Sequence, residues 1–123
     1  ASEIVAWLRS APAFLRGNGA VGERAWLVVH GSVIPGLRPE DTRSAQLVGW
    51  HRLGATEDAP SWVHAWRGPE LVVFGHRRSA SGPHYDAAGA LVAFGTDTGC
   101  VYGGSLTAFR LEDGAVCSVA ARG

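Results

Sequence analysis

Two histidines, His30 and His76, stand in matching local contexts. His30 closes the run Trp26-Leu27-Val28-Val29 and precedes Gly31, whereas His76 follows Leu71-Val72-Val73-Phe74-Gly75. Neutral imidazole is a common ligand for zinc, manganese and iron, so a matched pair points to metal chemistry. Taken singly, a His at the end of an apolar strand is more often a hydrogen-bonded structural residue than a ligand. Two imidazoles also make an incomplete site, and the chain has no obvious cluster of carboxylates or amides to complete it. The other dense segment is Thr96-Asp97-Thr98-Gly99-Cys100-Val101-Tyr102-Gly103-Gly104. Its three Gly imply a tight loop whose backbone comes close to something. Asp97 either bonds nearby backbone amides as a turn residue or supports a metal-bound His from behind.

The elements that must position these residues follow from the hydrophobic pattern. Ala25–Val29 and Leu71–Phe74 are short apolar runs suited to strands buried on both faces, which leaves each His at a strand's carboxyl end. Helical patterns lie between them: Ser44–Trp50, with Leu47 and Trp50 on one side, and a short helix capped by Ser61 carrying Trp62, Val63 and Trp66. That spacing suits a crossover joining neighbouring strands of one sheet. Ahead of it, Ile4, Val5, Leu8 and Ala11 predict an amphipathic helix with Ser2 as N-cap, and Gly17-Asn18-Gly19 reads as a turn. Arg77–Gly89 reads as loop. Ala90–Phe94, Leu106–Leu111 and Ala115–Ala120 read as strands, the last two joined through Glu112-Asp113-Gly114, with Leu106–Leu111 mostly buried.

Composition narrows the function classes. The chain has 123 residues and 46% hydrophobic residues, enough for one domain or part of one. No run approaches the roughly 18–20 apolar residues of a membrane span. With 11 basic and 11 acidic residues the formal net charge is zero, so nothing predicts bulk attraction to nucleic acid or to a membrane surface. Cys100 and Cys117 sit in apolar surroundings and read as buried free thiols of a reducing cytoplasm. The chain contains no Met, which leads us to expect a fragment or a processed product.

Three stretches carry a resemblance. Gly95–Val119, GTDTGCVYGGSLTAFRLEDGAVCSV, resembles the carboxyl-terminal signature of calcineurin-like metallophosphoesterases. The branch is that of the symmetrical diadenosine tetraphosphatases and bacterial serine/threonine-phosphatase-like proteins. WLVVHGSVIPGL resembles that branch's strand ending in a metal-binding His, and WRGPELVVFGH its Gly-His motif. The three lie in the family's order, from about Trp26 onward. The resemblance implies a two-metal phosphoesterase using manganese, iron or zinc on a phosphate ester or dinucleoside polyphosphate, with His30 and His76 on one ion. It further implies Asp97 behind that site and Arg52, in GWHRLG, for phosphate oxygens, although Arg52 also reads as a plain surface charge.

The sequence departs from the family too. It has no Asp-x-His, no Gly-Asp-x-x-Asp-Arg and no Gly-Asn-His-Glu, and His30 is followed by Gly31-Ser32 where the family writes Ala-Gly. His76 is followed by Arg77-Arg78. The expected fold is therefore α/β: the carboxyl-terminal half of an αββα sandwich over residues 1–123, about five strands with two or three helices. Its partner would be the amino-terminal half. No residue of this chain is assigned a catalytic role. The rival reading is a binding or interaction domain that keeps the fold without catalysis.

Overall fold

The computed structural model describes residues 2–122. Its elements are α1 (Ser2–Ser10), β1 (Phe14–Ala20), β2 (Arg24–Val29), α2 (Ser44–Val48), β3 (Leu71–Phe74), β4 (Gly82–Tyr85), β5 (Leu91–Gly95), β6 (Ser105–Phe109) and β7 (Val116–Ala120). The class is α/β as expected, with a five-stranded mixed sheet and two α-helices. Strand order is β1-β2-β3-β5-β4, and β6-β7 form a separate ribbon. The apolar runs β2, β3 and β5 are the parallel centre, and β1 and β4 pair antiparallel at the two edges. This is the distribution burial demands, because parallel strands need both faces covered.

Alternation along the central strands sets two faces. Leu27, Val29, Val72 and Phe74 join Leu47 of α2 and Trp62, Val63 and Trp66 of the connection in one core. Trp62 packs edge-on against Phe74, ring centroids 5.1 Å apart, and Trp50 leans on both. The opposite face holds Val28 and Val73, both half-buried, and Phe94, stacked on Phe109 of β6 at 4.5 Å. The ribbon thus covers part of that face.

Several local expectations change. Ser2 lies inside α1, and this helix buries none of its residues. Gly17-Asn18-Gly19 is not a turn but part of β1, where Gly17 pairs with Trp26. A Cβ at Gly17 would run into the Trp26 indole, whose Nε1 donates to the Asn18 carbonyl at 3.1 Å. The predicted loop 77–89 contains the edge strand β4. The helix Ser44–Trp50 stops at Val48, and the Trp62 segment is a single 3-10 turn, Trp62–Ala65, that Ser61 does not cap through its side chain. On β6, Leu106 is 68% exposed, so this strand is not mostly buried. Both cysteines are free, but Cys100 is half-buried and Cys117 exposed. No described helix is long and apolar enough to cross a membrane.

Candidate functional site

Three adjacent parallel strands end at one sheet edge and deliver His30, His76 and Asp97 there. The ladder continues past the strand ends: Gly75 N–H donates to the His30 carbonyl and Thr96 N–H to the Phe74 carbonyl, each at 2.8 Å. These bonds fix the three chain exits side by side, at the edge where open α/β sheets gather ligands. His76 adopts a left-handed backbone, φ 67°, which a non-glycine residue tolerates at a cost of about 1–2 kcal/mol. Arg77 N–H donates back to the Gly75 carbonyl at 2.8 Å, closing the tight bend around it.

Both imidazoles are exposed, and their ring centroids lie 5.1 Å apart with planes inclined at 57°. With metal–nitrogen bonds of about 2 Å and a tetrahedral angle, two imidazoles on one ion have centroids about 5 Å apart. The observed centroid separation of 5.1 Å is close to that value. Among the described residues no group of three or more His, Cys, Asp and Glu converges to hold an ion. Asp97 is half-buried rather than buried, and its Oδ1 accepts from Gly99 N–H at 3.1 Å, so its observed partner is its own loop. Arg52 is half-buried and uses Nη1 on the Ala59 carbonyl at 3.1 Å. It lines a cleft of about 410 Å³ together with Trp50, His64, Arg77 and His84.

A search of family descriptions found no match, and no curated protein matched. Among solved structures, one described as a "putative diadenosine tetraphosphatase" superposes with a TM-score of 0.78 at 26% identity. The chain has part of a phosphoesterase-like fold. The match takes in 98% of this chain and 55% of that one, so the present chain spans about half of its neighbour's length.

One residue of the site's support escaped the sequence reading. Ser32 is fully buried just beyond His30. Its Oγ accepts from His51 N–H at 3.1 Å and lies 2.7 Å from the Gly49 carbonyl and 3.0 Å from that of Gln46. The loop after β2 is thereby tied to the end of α2. The sequence clue was a small hydroxyl residue directly before the apolar pair Val33-Ile34, which is unlike a surface turn. Arg77, His64 and His84 were likewise not grouped with Arg52. They are dispersed in sequence, and only the folding of the connection onto β4 assembles them.

Proposed function

We propose that residues 1–123 form the carboxyl-terminal part of a metal-dependent phosphoesterase domain acting on a phosphate ester or dinucleoside polyphosphate. The observation that carries this is the imidazole pair, 5.1 Å apart at the ends of adjacent strands, in a chain whose structural neighbour bears a diadenosine tetraphosphatase description. His30 and His76 would hold one divalent ion, for which manganese is the first candidate and iron or zinc the alternatives. In a two-metal site, bound ions supply Lewis acidity and a water acidic enough to attack phosphorus near neutral pH. Asp97 keeps the Gly-rich loop in place beside His76, and Arg52 directs the rest of its guanidinium to phosphate oxygens. The remaining metal ligands belong to an amino-terminal complement. A cytoplasmic setting agrees with the two free thiols.

The ribbon's outer face supports a complement. Leu106 and Val119 are cross-strand partners, as are Ala108 and Cys117, and all four are exposed, while the hydroxyls of the neighbouring pair Thr107 and Ser118 bond each other at 2.6 Å. An apolar outer face on a two-stranded ribbon is the mark of a surface that another element covers. The same face favours a second reading, a non-catalytic interaction domain on this fold. Hydrolysis of p-nitrophenyl phosphate and diadenosine tetraphosphate with added manganese separates them. This chain alone is expected to show no significant turnover, and a version extended by its amino-terminal complement to be active. Full activity of the 123-residue chain would overturn the two-part reading. An inactive extended chain would favour the interaction domain.

A further inference from the structure

The bend 66–70, just ahead of β3, is held from three sides. Trp66 Nε1 donates to the Glu70 carbonyl at 3.1 Å, and Arg24 donates through Nε and Nη2 to the Pro69 carbonyl at 3.3 Å each. Gly68 lies so close to the Trp66 indole that a Cβ there would strike the ring. Together with Leu37 and Pro39 this bend walls a cleft of about 470 Å³, at the end of the sheet opposite His30 and His76. Small-molecule sites have this build: roughly 300–1,000 Å³, an apolar wall and a few placed polar groups. The charged residues of the lining are Arg16, Arg38, Arg67 and Glu70. Arg16 is paired with Glu40 at 2.7 Å and Arg38 with Asp41 at 2.8 Å, so both of those charges are already answered. Arg67 and Glu70 enter none of the ion pairs among the described residues. Arg67 donates only Nη1, to the Trp66 carbonyl at 2.7 Å, which turns its guanidinium back over the bend and leaves the rest of the fork open. The cleft thus offers one open cation and one open anion beside an apolar wall.

We infer that this cleft binds a free α-amino acid with an apolar side chain, its carboxylate on Arg67, its ammonium on Glu70 and its side chain against Trp66 and Leu37. A guanidinium matches a carboxylate with parallel N–H donors, and an ammonium donates well to a carboxylate. A simple anion would meet Glu70 as a like charge, and a simple cation would meet Arg67 in the same way, so only a zwitterion finds a partner for each of its charges. Because the bend is already fixed by Trp66, Arg24 and Gly68, little backbone has to be ordered on binding. The inference stands apart from the phosphoesterase reading, since the cleft and the histidine pair lie at opposite ends of the sheet.

The test is calorimetric titration of the 123-residue chain with L-phenylalanine. The comparison ligands are 3-phenylpropionate, which lacks the ammonium, phenethylamine, which lacks the carboxylate, and glycine, which lacks the apolar side chain. Each comparison ligand is expected to bind at least about tenfold more weakly than L-phenylalanine, the worth of one charge-assisted contact. Arg67→Gln should weaken L-phenylalanine about tenfold while leaving phenethylamine unchanged, and Glu70→Gln should do the same while leaving 3-phenylpropionate unchanged. Arg9→Ala should alter nothing. Circular dichroism identifies any variant that has failed to fold, and the ranking of the four ligands on the parent chain then decides the matter. No saturable binding of L-phenylalanine would overturn the inference. So would 3-phenylpropionate or phenethylamine binding as tightly as the amino acid, or folded Arg67→Gln and Glu70→Gln proteins that bind it as the parent does. A separate manganese titration reads the His30–His76 proposal, so failure there leaves this result standing.

Discussion

His76 combines a strained backbone with a side chain that faces solvent, and a residue chosen for stability alone would not be His at that place. Glycine adopts φ 67° without penalty but loses more conformational entropy on folding, so the two effects nearly cancel. His76→Gly should thus leave stability unchanged or raise it by up to about 1 kcal/mol, read by denaturant melting, while abolishing manganese binding. Marked destabilisation by this variant would make His76 a structural residue. Gly31 obeys the opposite logic. A Cβ there would strike the Gly49 carbonyl oxygen, which Ser32 also holds. Gly31→Ala, although it installs the residue the family pattern favours, should cost about 1–3 kcal/mol by overpacking, visible as a lower denaturation midpoint. An unshifted midpoint would mean α2 moves away freely.

At the scale of elements, the β6–β7 ribbon is held at both ends of its design. Its inward side stacks Phe109 on Phe94, and its turn is closed by Asp113, whose carboxylate accepts from Arg110 Nε at 2.8 Å and from Ala115 N–H at 3.0 Å. The Arg110 bond, more than any other influence, lowers the Asp113 pKa from 3.8 to about 2. A carboxylate with a depressed pKa favours the folded turn above its ordinary pKa, and that contribution is lost as pH falls from 3.8 through about 2. NMR titration should place the Asp113 midpoint near 2, and Arg110→Ala should move it up toward the ordinary 3.8. A midpoint that ignores Arg110→Ala would show that the pair is not formed in solution. The ribbon's outer side carries a different prediction. With Leu106 at 68% exposure and Val119 at 63%, Leu106→Thr with Val119→Thr should reduce self-association of this chain in sedimentation runs at rising concentration. Unchanged association would locate the sticky surface elsewhere, with α1, whose Trp7 is 70% exposed, the next face to alter.

The whole molecule has one well-filled core, between the sheet and the α2–Trp66 connection, and one open side where the ribbon packs on Phe94 through Phe109. Its candidate chemistry lies at the edge shared by the three parallel strands, where no group of three or more His, Cys, Asp and Glu converges among the described residues, and this is the ground for expecting no turnover of phosphate esters by this chain alone. The sequence by itself determined β2, β3 and β5 and the His that follows each of the first two, because strands buried on both faces must be continuously apolar wherever they sit. It also determined the ribbon's alternation, with Leu106 and Ala108 opposite in sense to Thr107 and Phe109. Only the tertiary structure decided which side of that alternation meets solvent, since an apolar face announces burial without naming what buries it. The edge strands β1 and β4 were illegible for a related reason. Gly17-Asn18-Gly19 and Gly82-Pro83 have turn composition, yet Gly17 pairs along the free ladder of β2 and Gly82 and Pro83 along that of β5, with Asn18 and Gly19 carried in a register irregularity of β1. The cleft of Arg52, Arg77, His64 and His84 was equally out of reach. Periodicity reports which residues share an element, whereas a cleft joins residues of several elements, and their distances exist only once the chain has packed.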